Sequence, residues 1–336
     1  MRNSKRALSE LSKQARKKGY QFKGMYRNLY NPDFYVTAYS KIYSNKGSST
    51  SGIDDETADG FSEDGINRII QLLKDESYQP KPARRTYIPK KNGKTRPLGI
   101  PSYGDRLVQE VCRMMLEAIY EPTFSKSSHG FRPKRSCHTA LDEVRNRFKG
   151  VNWFIEGDIK GFFDNIDHQT LISILRRKIT DERFIRLIWK FLRAGYMEKW
   201  KFHNTFSGTP QGGIVSPILA NIYLNELDNY VQGKLTDETS STNAVKPKEI
   251  RNPTYRRIDG KMERLYKKID ACKDSNLRDE MIAEHKALRK QRSKVNYSLG
   301  LGYDYHNLFY VRYADDCAPR RRKEEKKRNL PCSHAA

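Results

Sequence analysis

Long apolar runs are missing from this sequence: no stretch of about 18 consecutive apolar residues occurs, which excludes a transmembrane span. Cysteine is scarce too. Its five copies, Cys112, Cys137, Cys272, Cys317 and Cys332, are scattered, odd in number and form no CxxC pair. That excludes a disulfide scaffold and a zinc ribbon, and it points to a reducing compartment. Acidic residues are outnumbered, 40 Asp and Glu against 64 Lys and Arg, for a net charge of +24 over 336 residues. Hydrophobic residues make up only 37%, yet aromatics reach 11%, with 20 Tyr and 14 Phe. Those rings supply enough apolar surface for one large or two medium domains rather than a disordered chain. The charge calls for a polyanionic partner, nucleic acid before a membrane surface.

Local patterns then divide the chain. The first two dozen residues, MRNSKRALSELSKQARKKGYQFKG, read as a basic amphipathic helix, and the aromatics that follow make it a structured arm rather than a transit peptide. Residues 48–60 form a loop, and Phe61 to Leu73 has helical periodicity behind a Ser62 cap. Thr86–Pro89 and Pro97–Ile100 read as short strands joined through an Asn92-Gly93 turn. Asp105 to Tyr120 repeats apolar residues at helical spacing and reads as a core helix. Trp153 to Asp158 is a short apolar strand ending in a carboxylate. Helices follow over Gln169–Lys178, Asp181–Arg193 and Ile218–Tyr230, with Asp167 as a cap. Between residues 235 and 303 the composition turns charged and polar, predicting a solvated helical hairpin. Leu308 to Val311 is the next strand, and the mixture without regular alternation is α+β.

Chemistry concentrates at strand ends. Asp315 and Asp316 are adjacent carboxylates after a strand, a costly pair unless something positive sits on them, and a divalent metal is the usual answer. A second strand also ends in Asp158, and carboxylates from two strand ends can hold the metal pair used for in-line phosphoryl displacement. His129 and His168 have no carboxylate or hydroxyl partner at a convincing spacing, so both read as structural or RNA-contacting, and Cys137-His138 is too sparse for a metal site.

At this point the motifs resemble a known family. FIEGDIKGFFDNIDH, GTPQGGIVSPILANIYLNELD and YVRYADD are similar to palm motifs of group II intron-encoded reverse transcriptases. RRTYIPKKNGKTRPLGIPSYGDRLVQEV and HGFRPKRSCHTAL match the fingers, and SGIDDET resembles the extra N-terminal motif. The match is collinear from about residue 25 to Asp316. It implies an α+β fingers–palm part of a right-hand polymerase with the thumb absent. Residues 1–60 would be the basic arm and extension motif, 61–152 the fingers, and 153–234 the palm with fingers-connecting helices. Residues 235–303 would be the charged insertion, 304–316 the palm strand with YADD, and 317–336 an unrelated basic tail.

The resemblance implies RNA-directed DNA polymerase activity in intron mobility, with splicing support in the full-length family. Asp158, Asp315 and Asp316 would be catalytic and would hold two Mg²⁺, with Mn²⁺ as a substitute. Ile159, Lys160, Gly161 and Phe162 would approach the incoming triphosphate, and Phe163 would exclude a ribose 2′-OH. Gln211 and Gly212 would line the nucleotide pocket, and Lys90 and Arg96 would contact the triphosphate. The partners would be intron RNA template, DNA primer and dNTPs, with no membrane; a dimer or a complementing C-terminal polypeptide stays open. Bacterial cytoplasm is the expected location and an organelle the second. A non-catalytic RNA-binding fragment and a retron-type or diversity-generating enzyme are the alternatives.

The pattern departs from the family after Asp316. Pro319 has no amide donor and is expected not to serve a central strand, and the charge run behind it cannot be buried. The switch reads as a frameshift or truncated reading frame, with a natural short or split form as the other explanation. On that reading the chain alone has little or no processive activity.

Overall fold

The computed structural model describes residues 3–45, 47–89, 93, 95–148, 154–209, 212–236, 249–272, 274–301 and 308–321. In chain order the elements begin with helices α1 (Ser4–Ala15), α2 (Pro32–Tyr43) and α3 (Glu63–Lys74) and strands β1 (Ala83–Pro89) and β2 (Thr95–Ile100). Helices α4 (Tyr103–Tyr120) and α5 (Cys137–Arg147), strand β3 (Gly157–Asp158), and helices α6 (Phe162–Asn165), α7 (His168–Arg176) and α8 (Glu182–Arg193) follow. Next come β4 (Tyr196–Glu198), β5 (Lys201–His203), α9 (Ser216–Tyr230), β6 (Glu249–Arg251), α10 (Pro253–Ala271) and α11 (Ser275–Arg292). The last are β7 (Ser298–Leu301), β8 (Leu308–Tyr313) and β9 (Asp316–Arg321).

The chain divides into two compact units, the first comprising Met1–Val144, Glu156–Val231 and Val311–Ala318. Its centre is α4, fifteen of whose eighteen residues are buried, so even the polar ones must be paired inside. Ser102 caps the helix, and Asp105 takes hydrogen bonds from Ser102 Oγ at 2.7 Å, the Lys81 amide at 2.9 Å and the Tyr78 hydroxyl. Arg106 donates to the Pro101 carbonyl at 2.9 Å, and Glu110 meets Lys41 at 3.0 Å and Arg113 at 2.7 Å. Gln109 Oε1 accepts from the Ile214 amide at 2.9 Å, which ties the glycine-rich loop before α9 to the core. The basic arm is structured as expected: α1 packs Ala7, Leu8, Leu11 and Ala15 on the core, and the Ser4 amide donates to Asp33 at 2.6 Å.

The predicted hairpin is present, β1 pairing antiparallel with β2 from Arg84↔Ile100 to Pro89↔Thr95. It extends to a four-stranded sheet, β2-β1-β4-β5, in which β4 runs parallel to β1. Caps fall where the sequence put them: Ser62 accepts from the Gly65 amide at 3.4 Å, and Asp167 from the Thr170 amide at 2.7 Å.

Two expectations are corrected. Trp153 lies outside the described residues, and of the strand predicted over Trp153–Asp158 only Gly157 and Asp158 are paired. Phe154 and Ile155 are 50% and 53% exposed, so the apolar letters there build no buried strand. The second concerns Pro319, which lies within β9, the middle strand of the order β3-β9-β8. Only Cys317 and Asp316 of β9 face β3, opposite Gly157 and Asp158, so Pro319 falls past the end of that ladder and its missing amide costs no bond to β3. Residues 317–321 continue the strand that Asp316 begins.

The second unit comprises Arg145–Ile155, Gln232–Tyr310 and Pro319–Ala336. The predicted helical hairpin forms as α10 and α11, joined by an Arg292–Asp259 ion pair at 2.5 Å and closed off by β6 pairing with β7. On α10 only Ile258 and Met262 are buried, in keeping with a solvated insertion.

Candidate active site

Strand register brings the predicted carboxylates together. Asp158 lies directly across from Asp316 in the antiparallel β3–β9 pair, which puts both side chains on one face. Asp315 precedes Asp316 in the turn after β8, where Ala314 takes a left-handed φ of 55°. Burial pushes the Asp316 carboxyl above its ordinary value, and the charges of Asp315, Asp158 and Glu156 push in the same direction. Among the described residues no group of three or more His, Cys, Asp or Glu is arranged to hold a metal ion. The donor set nevertheless fits a hard divalent cation in kind: carboxylate oxygens only, repelling one another across one turn.

The turn is clamped by residues that composition and spacing did not reveal. Arg312, the last charge before YADD, is 1% exposed and pairs through two bonds, of 2.8 and 2.7 Å, with Asp228 on α9. The same guanidinium donates to the Ala314 carbonyl at 2.7 Å, to Ser128 Oγ at 2.7 Å and to Asn221 Oδ1 at 3.2 Å. The His129 amide donates to the Arg312 carbonyl at 2.9 Å, and the Arg312 amide to the Ser127 carbonyl at 2.8 Å. Gly130 comes so close that a Cβ on it would lie 2.8 Å from Ala314 Cα. Its carbonyl accepts from Asn221 Nδ2 at 2.9 Å. The HGFRP segment is thus the mould against which the YADD turn is set. The available signal was a lone arginine in an apolar strand, and Asn221 and Asp228 at helical spacing on one face of α9.

Three residues after Asp158, Gly161 holds a φ of 61° and opens α6. Phe162 is buried, while Phe163 is half-buried with its ring 6.1 Å from that of Phe131. Ile159 is half-buried against the core, and Lys160 is exposed. The loop of Gly208 and Thr209 is bonded to this segment, Thr209 N to the Phe163 carbonyl at 2.7 Å and Gly208 N to the Ile166 carbonyl at 2.8 Å. His168 Nε2 lies 2.6 Å from the Gly208 carbonyl, which gives this histidine its structural role. Gly212 has a φ of 106° and lies against the Gly99 carbonyl of β2. Arg96 is exposed on β2 opposite Ile88. Lys90 and Gln211 lie outside the described residues. Beside the loop is a cavity of 290 Å³ lined by Arg85, Asp164, Tyr196, Gly208 and Thr209, among others. Arg85 Nε and Thr209 Oγ1 are buried there without a hydrogen-bond partner.

His129 departs from the sequence reading, because it has both partners judged missing. Its Nε2 lies 2.9 Å from Glu143 and its Nδ1 2.8 Å from Thr139 Oγ1, two residues one turn apart on α5. Burial outweighs the carboxylate and lowers the His129 pKa below its ordinary 6.5. A group depressed in the fold binds its proton more readily when unfolded. Its stabilising contribution is therefore complete above about pH 6.5 and declines as pH falls through that value. The gap in urea midpoint between the wild type and His129→Asn is expected to shrink from roughly pH 7.5 to 5.5; a constant gap would refute this.

Residues 88–245 match the family described as reverse transcriptase (RNA-dependent DNA polymerase). The chain is 50% identical over 297 residues to the group II intron-encoded protein LtrA of Lactococcus lactis subsp. cremoris, covering 88% of this chain and 48% of that protein. It is 43% identical over 315 residues to an uncharacterized 91 kDa protein in the cob intron of Schizosaccharomyces pombe, covering 92% and 37%. Protein YkfC of Escherichia coli K12 is 40% identical over 223 residues, covering 61% and 56%. The chain thus spans about half the length, or less, of the first two of these relatives. Residues 88–245 thus form a reverse transcriptase domain, and the chain that carries it is similar to group II intron-encoded proteins.

Proposed function

We propose that this chain carries the nucleotidyl-transfer centre of an RNA-directed DNA polymerase that copies group II intron RNA from a DNA primer. The observation that carries the reading is Asp158 set opposite Asp316, beside Asp315, on a turn whose backbone is held by buried groups. Asp158 and Asp315 would hold Mg²⁺, with Asp316 completing the cluster, and Mn²⁺ could substitute. When bound, such ions lower the pKa of the attacking hydroxyl and offset charge on the leaving pyrophosphate.

The chain's own residues do the positioning. The backbone from Ile159 to Phe162 follows Asp158 directly, so a triphosphate held there lies beside the carboxylates. Phe163, whose ring meets those of Phe131 and Phe162, would exclude a ribose 2′-OH. Lys90, Arg96 and the Gln211-Gly212 loop complete the nucleotide site in this reading. A net charge of +24 supports binding of template and primer. Bacterial cytoplasm is the working compartment in this reading and an organelle the second; no helix among the described residues is long and apolar enough to cross a membrane.

Primer extension on poly(rA)/oligo(dT) with Mg²⁺ tests the proposal, comparing the wild type with Asp158→Ala. Incorporation, even of single nucleotides, is expected in the wild type and not in the variant. Equal incorporation by both, or none by a folded wild type, would overturn the catalytic reading.

A further inference from the structure

The hairpin of β4 and β5 carries a feature that the polymerase chemistry does not use. The register Glu198↔Lys201 leaves Lys199 and Trp200 as a two-residue tip, and both are left-handed, with φ of 49° and 64°. Tips of this kind are normally built from Asn-Gly or Asp-Gly, because a bulky side chain is strained there. Folding offers Trp200 nothing in return, since it is 97% exposed and absent from the core. Strain without packing marks a residue held out for something else.

The surroundings identify the chemistry. Lys199 and Lys201 flank the indole and both are exposed, as are Phe202 at 51% and Phe206 at 83%. Glu198, the acidic residue that precedes the tip, is engaged by the Tyr87 hydroxyl at 2.5 Å. Behind the tip, Arg85 stacks at 3.6 Å on Tyr196, which in turn stacks on His203 at 4.9 Å, so the hairpin is stiffened from its base. Lysine is depleted at the centre of protein–protein interfaces, so cations on both sides of the indole argue against a protein partner. Rings alternating with cations suit a strand of unpaired bases, one π-face per base and one ammonium per phosphate.

We propose that the β4–β5 tip is a stacking platform for single-stranded nucleic acid, Trp200 taking an unpaired base while Lys199 and Lys201 meet the flanking phosphates. It goes beyond the catalytic reading, and binding is measured without turnover, so the two can fail separately.

The test is fluorescence anisotropy with labelled oligo(rU) and with a blunt RNA duplex, on the full chain. Trp200→Ala is expected to weaken single-strand binding by about 5- to 150-fold and to leave duplex binding unchanged. Trp200→Phe is expected to restore most of the loss. Lys199→Ala with Lys201→Ala should lower the slope of log affinity against log salt by about 0.7 for each phosphate contact removed. An unchanged affinity in Trp200→Ala would overturn the platform, as would an equal loss on single strand and duplex. So would a change in oligomeric state with single-strand affinity intact, because that assigns the indole to a second copy of the chain. Full loss of primer extension in Asp158→Ala with the Trp200 effect present supports both assignments, whereas the converse pattern separates them.

Discussion

Arg312→Met is expected to destabilise the fold by about 3–5 kcal/mol, the cost of leaving a buried charge without its partner. Asp228 is 0% exposed, and removing the guanidinium takes away the buried ion pair that compensates its carboxylate. Asp228→Leu should cost a similar amount by stranding the guanidinium instead. The double variant distinguishes fold stability from function. With both charges gone, apolar residues of like volume can be neutral or stabilising by roughly 1–4 kcal/mol relative to a buried pair. Yet Arg312 also binds the Ala314 carbonyl and Ser128, and those bonds set the turn that presents Asp315 and Asp316. Urea unfolding should therefore show a midpoint lowered in each single variant and largely recovered in the double. Primer extension should stay low in all three. A double variant with wild-type extension would show that the clamp serves stability only, and single variants with unchanged midpoints would dispose of it altogether.

Much of this was legible from local patterns because local physics decides it. The periodicity of Asp105 to Tyr120 survives as α4, and Ser62 and Asp167 cap where a short polar side chain can reach a free amide. The β1–β2 hairpin follows from two short runs, Thr86–Pro89 and Pro97–Ile100, on either side of an Asn-Gly turn signal in the sequence. What failed was whatever depended on distant partners. Phe154 and Ile155 look like a buried strand, but burial needs a surface to pack on, and both are about half exposed. Pro319 is barred from a full ladder, yet β3 is too short to demand one at that position. The Arg312–Asp228 pair spans 84 residues, and no local window contains both ends. His129 is an intermediate case: Thr139 and Glu143 stand one helical turn apart on α5, a spacing that could have been noticed, though not which residue they would hold. The three carboxylates themselves came from motifs, and motifs name residues without stating what keeps them still.

Gly130→Ala is expected to cost about 10²-fold in primer extension while leaving a folded protein. The added Cβ would run into the Ala314 backbone nitrogen and lie 2.8 Å from its Cα and 3.0 Å from its Cβ. Two of these are backbone atoms of the turn and the third is a methyl fixed to it, so no flexible side chain can swing aside to make room. Gly130 is not among the glycines with positive φ, so alanine brings no conformational strain of its own and the contact alone is tested. Either HGFRP withdraws or the YADD turn shifts. The segment is tied by the His129 amide, the Asn221 bond and the buried Arg312, which leaves the turn as the softer side. Displacement of catalytic groups by about 1 Å is worth roughly 10² in rate, whereas overpacking of this size costs about 1–3 kcal/mol of stability. Gly60→Ala is the matched control, since nothing lies within 4 Å of a Cβ there. The contrast to look for is a large fall in extension rate at Gly130 with a modest shift in urea midpoint, and neither at Gly60. Normal extension by Gly130→Ala would mean that the turn tolerates movement and that the mould built by HGFRP does not set the carboxylates.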